Sequence, residues 1–152
     1  SQPWVVARMT ELLLEGDETP KKVLEVGTGC GYQTAILSQL VRWVFTIERI
    51  GVLLDQARER LQRLGYRNIS YLHGDGFAGW ESNRPFDRIL VAAAPNQVPS
   101  LLLEQLAEGG RMVLPVGGSG HQVLRRVTRT ASGYHEEERE AVHFVPMLSG
   151  QN

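Results

Sequence analysis

Apolar positions recur at helical spacing in the first stretch, SQPWVVARMTELLL, where Val5, Val6, Met9, Leu12 and Leu13 share one face. A polar break, EGDETP, separates it from KKVLEV, a short apolar run typical of a strand buried on both faces. GTGCGYQTAILSQLV reads as a glycine loop opening a helix and VFTIE as a second strand. RIGVLLDQARERLQRLG follows as a helix, with Ile50, Leu53, Leu54, Ala57, Leu61 and Leu64 on one face and Gly65 as its stop. NISYLHGDG and FDRILVAAA supply two more strands, PSLLLEQLAEGG a helix ending in glycine, and RMVLPVG a fifth strand. Such alternation predicts a parallel sheet with helices on both faces, because each parallel connection requires a crossover.

Beyond Gly117 the rhythm changes. HQVLRRVTRT alternates polar and apolar residues, ASG turns, and YHEEEREAVHFVPML returns, so a hairpin-like pair is expected to finish the sheet. Arg125, Arg126 and Arg129 would then face the acidic run Glu136 to Glu140 across the ladder. The 152 residues suit one domain, and a net charge of -1 with 22% charged residues gives no global pull toward nucleic acid or an anionic membrane. A lone cysteine, Cys30, excludes an intramolecular disulfide, and no apolar run approaches the roughly 20 residues that span a bilayer. A reducing, cytoplasmic setting follows as an expectation, without a membrane or nucleic-acid partner, for a chain acting as a monomer.

The candidate chemistry lies in VLEVGTGCGYQTA. Gly27, Gly29 and Gly31 follow a strand and precede a helix, so the backbone can turn tightly and approach a ligand without interference from a Cβ. A dinucleotide fingerprint would place a small residue at position 32, where this chain has Tyr32, and no Lys or Arg lies in the loop; both disfavour a phosphate ligand. Glu48 ends the second strand 17 residues beyond Gly31, where an acid can accept hydrogen bonds from both hydroxyls of a ribose. Glu25 precedes the loop, where a carboxylate would face the positive end of a bound amino acid, and Asp75 follows the third strand, where it or its neighbours could meet an adenine amino group. A ribose carrying an amino acid and no phosphate describes S-adenosyl-L-methionine, with S-adenosyl-L-homocysteine as its product. The expected cofactor-binding set is Glu25, Gly27, Thr28, Gly29, Gly31, Gln33, Thr34, Glu48, Arg49, Gly74, Asp75 and Gly76. Cys30 has no histidine near it in sequence to make it a nucleophile, and His73, His121, His135 and His143 show no metal-ligand spacing, so no metal is expected.

The fourth strand ends in Ala92, Ala93, Ala94 and Pro95. Enzymes that methylate base or amide nitrogens resemble one another in an Asn or Asp followed by Pro-Pro and an aromatic there; metal-dependent catechol methyltransferases and aminopropyl transferases need acids. The alanines fit none of these. Taken together, SQPWVVARM, VLEVGTGCGYQTAILSQLV, IERI, HGDGFAGW, FDRILVAAAPNQVP, LAEGGRMVLPVG and VHFVPM resemble the bacterial protein-L-isoaspartate (D-aspartate) O-methyltransferases, from Ser1 to about Gly150.

That resemblance implies an α/β, Rossmann-like class I S-adenosylmethionine-dependent methyltransferase: a mostly parallel seven-stranded sheet with helices on both faces and a C-terminal antiparallel strand. It implies methylation of the free carboxylate of isoaspartyl residues in damaged proteins and peptides. Ser1 corresponds to the family's active-site serine; Gln2 and Pro3 would roof the pocket. Ala93, Pro95, Val116, Phe144, Val145 and Pro146 would line the peptide side. Family members resemble one another for several dozen residues upstream of this serine, so the chain reads as a single methyltransferase domain, 1–152, without that segment, expected to keep the cofactor site with weakened or absent transferase activity. A non-catalytic cofactor-binding domain and a methyltransferase for a small molecule or RNA remain as alternatives.

Overall fold

The computed structural model describes all 152 residues. Seven strands, β1 (Lys22–Val26), β2 (Trp43–Glu48), β3 (Ile69–His73), β4 (Phe86–Val91), β5 (Leu106–Val116), β6 (Gln122–Thr130) and β7 (Gly133–Val142), form one sheet in the order β3-β2-β1-β4-β5-β6-β7. The first five pair in parallel, whereas β5 with β6 and β6 with β7 are antiparallel. Only β6 therefore runs against the rest. Strand order reverses direction at β1 and β4, so the crevice outside their carboxyl ends is where an open α/β sheet accommodates a ligand.

Helices α1 (Pro3–Leu14), α2 (Tyr32–Leu40) and α3 (Gly51–Arg63) cover one face, packing Met9, Leu13, Leu37 and Leu61 against Val23, Val44 and Leu90. On the other face Leu102, from the short helix α4 (Ser100–Glu104), joins Leu106, Leu24, Ile47, Phe86 and Ile89. The alternation of Val23 with Leu24 along β1 thus feeds two cores. Within α3 the buried stripe is Leu54, Ala57 and Leu61, narrower than the sequence pattern suggests. Leu64 lies past the last turn and is exposed, and Leu53 borders the stripe at the ligand end of the sheet.

The expected helix over PSLLLEQLAEGG stops at Glu104. Leu106 instead enters the ladder opposite Phe86, both fully buried, and the Phe86 N–H donates to the Gln105 carbonyl at 2.8 Å. The ladder resumes with Arg88 opposite Arg111, the extra residues bulging at Gly109, whose φ of 79° suits glycine. Tertiary pairing here overrides the helix propensity of Leu-Ala-Glu.

The terminal hairpin forms as the pattern implies, with Arg125 opposite Glu138 and Arg126 opposite Glu137. Arg126 pairs with Glu137 at 3.1 Å, meets Glu15 just past α1, and donates to the Leu12 carbonyl at 3.3 Å. Arg129 lies opposite Tyr134 and donates to the Leu106 carbonyl, leaving the acidic run unmatched there. Glu140 is taken by Arg8 of α1 in a two-pronged pair at 2.8 and 2.9 Å, which ties the hairpin to the first helix.

Candidate functional site

The loop between β1 and α2 turns through Gly27, Gly29 and Gly31 with φ of 101°, 54° and 89°, values that a side chain would strain. Its shape is held from β2. The Gly27 N–H donates to the Ile47 carbonyl at 2.8 Å, and the Gly29 N–H donates to Glu48 Oε1 at 2.9 Å. Glu48 Oε2 accepts the Ile50 N–H at 3.0 Å, so one carboxylate fastens the glycine loop and the start of α3 together. A carboxylate has about four acceptor positions, of which these bonds use two.

Two cavities flank the loop. One, of about 390 Å³, is walled by Gly27, Gly29, Glu48, Arg49, Gly76 and Ala93, with Ile47, Ile50 and Leu53 supplying an apolar side. The other, of about 480 Å³, holds Ser1, Pro3, Thr28, Gln33, Tyr32 and Phe144. Gly27, Gly29 and Ala92 line both. A Cβ on Gly27 would lie 3.5 Å from the Ala92 methyl, an ordinary contact, so it is the φ of 101° rather than a lack of space that calls for glycine in this shared wall.

Beneath the loop a chain of hydroxyls ends on Glu25. Thr28 and Thr46 share a hydrogen bond of 2.6 Å, and Thr46 and Thr34 both donate to Glu25 Oε1. Glu25 is fully buried, its Oε2 has no partner, and burial pushes its carboxyl up to about 7. It lines neither cavity.

The segment after β7 crosses the carboxyl end of the sheet. Phe144 is gripped by the Gln122 side chain, whose Oε1 accepts the Phe144 N–H at 2.7 Å while its Nε2 donates to the Phe144 carbonyl at 3.0 Å. The chain then bridges Ala94: the Ala94 N–H donates to the Val145 carbonyl at 2.8 Å, and the Met147 N–H donates to the Ala94 carbonyl at 2.9 Å. At its end the Asn152 N–H donates to the Arg49 carbonyl, and the Asn152 oxygen accepts from Gly51 and contacts His73 Nε2. Phe144 faces the Ser1 cavity, whereas Val145, Pro146, Met147 and Leu148 close the Glu48 cavity.

The remaining candidates sit around this frame. Asp75 Oδ1 accepts the Phe77 N–H at 2.9 Å and so shapes the turn that brings Gly76 to the Glu48 cavity, without lining it itself. Gly74 donates to the Glu48 carbonyl, and Gly31 packs on Leu61; neither reaches a cavity. Gln2 starts α1 by accepting the Val5 and Val6 N–H groups and lines a third cavity, which Ser1 shares. Pro95 accepts from Gly117, and Val116 belongs to the core. Met147 and Leu148 line the Glu48 cavity as well, which the sequence does not show, because an irregular segment carries no periodicity to mark which side it faces. No cluster of three or more His, Cys, Asp or Glu side chains could hold a metal ion, and no helix is long and apolar enough to cross a membrane.

The family described as protein-L-isoaspartate(D-aspartate) O-methyltransferase matches residues 1–152. The chain is 56% identical over 151 residues to the protein-L-isoaspartate O-methyltransferase of Halorhodospira halophila, covering 99% of this chain and 68% of that protein. It is 53% identical to the enzyme of that name from Pseudoalteromonas atlantica, covering 99% and 70%. A solved protein-L-isoaspartate O-methyltransferase superposes with a TM-score of 0.87 at 28% identity, over 96% of this chain and 47% of that one. A Plasmodium falciparum structure described by the same name, in complex with S-adenosyl-L-homocysteine, gives 0.82 at 25% identity, over 97% and 75%.

Proposed function

The chain belongs to the protein-L-isoaspartate(D-aspartate) O-methyltransferase family, and from that premise we propose how its two cavities divide the work. The reaction is methyl transfer from S-adenosyl-L-methionine to the free carboxylate of L-isoaspartyl and D-aspartyl residues in damaged proteins, the first step of their repair. The observation that carries the division is the shared wall of Gly27, Gly29 and Ala92, which sets donor and acceptor sites back to back.

The Glu48 cavity fits the donor. Glu48 keeps free acceptor positions for a ribose diol, the apolar side of Ile47, Ile50 and Leu53 suits a purine, and Gly76, where a Cβ would clash with Val26 at 2.5 Å, packs its bare backbone against Val26 in the wall. Gly27 and Gly29 present backbone to the ligand between the cavities. The cofactor, when bound, supplies a methyl group on a sulfonium.

The Ser1 cavity fits the acceptor. Of the polar side chains lining it, Ser1, which corresponds to the family's active-site serine, is assigned to hold the carboxylate, with Pro3 and Phe144 beside it. A carboxylate with a pKa near ~4 arrives ionised, so the site needs no general base, and Ala92 and Ala93 provide none. As an anion and a cation combine, their charges cancel, and water opposes the change by stabilising the separated charges. An apolar, closed partition therefore favours the reaction by excluding solvent and aligning the partners. The reading takes the chain to act as a cytoplasmic monomer on proteins and peptides; its nearly balanced charge of -1 supports partners recognised locally.

The test is methyl incorporation into matched peptides that differ only in isoaspartate or aspartate at one position. Methylation of the isoaspartyl peptide alone is expected; equal transfer to both would overturn the repair reading.

A further inference from the structure

Three features place Gln122 at the junction of the acceptor site and the crossing segment. It is the first residue of β6, its side chain is nearly excluded from solvent, and its register partner is Val142, the last residue of β7. Beyond Val142 the ladder ends, and the Gln122 amide replaces the missing strand by taking both the N–H and the carbonyl of Phe144. An amide is the one side-chain group that donates and accepts in the geometry of a peptide bond.

Downstream of that grip the segment is committed. Its next fixed point is the Ala94 bridge, which leaves little freedom between Phe144 and Met147. Phe144 enters the Ser1 cavity on one side, and Val145 to Leu148 enter the Glu48 cavity on the other. Gln122 itself lines neither of these two cavities.

We infer that Gln122 is a positioning residue for the acceptor peptide, holding Phe144 so that the Ser1 cavity has its binding shape before the peptide arrives. The inference rests on the methyl-transfer reading above. Loss of the grip frees the Phe144 end of the segment, while the Ala94 bridge still holds the part that closes the Glu48 cavity. Acceptor binding is then the quantity that suffers, because ordering the segment is added to its cost.

The test compares Gln122→Met and Gln122→Glu with the parent chain, using an isoaspartyl peptide for kinetics and S-adenosyl-L-homocysteine for calorimetry. For Gln122→Met the peptide KM is expected to rise about tenfold, with kcat at saturating peptide and the S-adenosyl-L-homocysteine Kd changing less than about threefold. Gln122→Glu supplies the control that a merely structural role would not satisfy. An ionised carboxylate cannot donate to the Phe144 carbonyl, whereas a protonated one can, so the ratio of its KM to the parent's is expected to shrink as pH is lowered from 8 toward 5.5. An unchanged KM, or a parallel loss of kcat, peptide affinity and cofactor affinity in Gln122→Met, would overturn the inference. A parent chain that transfers no methyl to the isoaspartyl peptide even when joined to the family's upstream segment would instead overturn the methyl-transfer reading, and the acceptor role with it.

Discussion

Gly29 and Glu48 are joined by a hydrogen bond of 2.9 Å, from the N–H of a glycine with positive φ to a carboxylate at the end of the neighbouring strand. The same carboxylate therefore both lines the cavity proposed for the cofactor and fastens the loop that shapes it.

Replacing Glu48 tests both parts. In Glu48→Ala the Gly29 and Ile50 amides lose their acceptor along with any ribose contact. Charge-assisted hydrogen bonds contribute about 1.5–3 kcal/mol each, so S-adenosyl-L-homocysteine is expected to bind about 30- to 100-fold more weakly. Thermal unfolding measured alongside should move down by several degrees. Undiminished affinity in calorimetry would remove Glu48 from the cofactor site.

Glu25 predicts a pH dependence of stability. Burial raises its carboxyl from the ordinary value of about 4.5 to about 7, so between those values the folded chain binds more protons than the unfolded one. Stability then falls as pH rises from about 4.5 to about 7 and levels off above, a loss of about 3 kcal/mol at full ionisation. In Glu25→Gln this component disappears. Denaturation midpoints across pH 4.5 to 8 should shift in favour of the variant relative to the parent; a constant difference would show that Glu25 does not titrate in this window.

The partition between the cavities predicts a double loss. Ala92→Val adds two methyl groups to a side chain that lines both cavities beside Gly27. Overpacking of this kind costs about 1–3 kcal/mol and here pushes on the loop shared by both sites. The S-adenosyl-L-homocysteine Kd and the peptide KM are expected to rise together by about tenfold. A change in only one would mean that the wall yields toward one side.

Arg126 predicts a stability effect without a binding effect. Its guanidinium joins β6 to Glu137 of β7, to Glu15 and to the Leu12 carbonyl at the end of α1, with little solvent access. Arg126→Met should lower stability by about 2–3 kcal/mol, since a partly buried charge network loses its centre, while the S-adenosyl-L-homocysteine Kd stays within about twofold. Urea denaturation and calorimetry on the same sample separate the two quantities.

Much of this molecule is visible in the one-dimensional pattern, and the exceptions share a cause. Val23 to Val26, Val44 to Ile47 and Ile89 to Val91 read as buried strands because each is covered on both faces, and the glycine loop with Glu48 reads as a ligand site because its spacing obeys local backbone rules. The boundary at Gln105 was hidden, since Leu106 leaves a helix-forming run only to meet Phe86, 20 positions earlier in the chain. The sides taken by Val145 and Pro146 were equally hidden: they depend on a single bridge to Ala94. Sequence placed Glu25 near the positive end of a ligand, while the fold puts Thr34 and Thr46 on it, and both contacts come from other elements.

The one reversed strand, β6, settles at which pole of the molecule the chain finishes. With β7 directed like β1 to β5, the last residues emerge at the carboxyl end of the sheet and can be laid over Ala94 and Arg49. Had the sheet closed after β6, the same residues would have come out at the opposite pole, among Pro20 and Asp87, with no route to either ligand. The hairpin is in this sense a delivery device. Its odd extra turn is what makes a sheet edge, remote from the chemistry, answerable for the roof of the site.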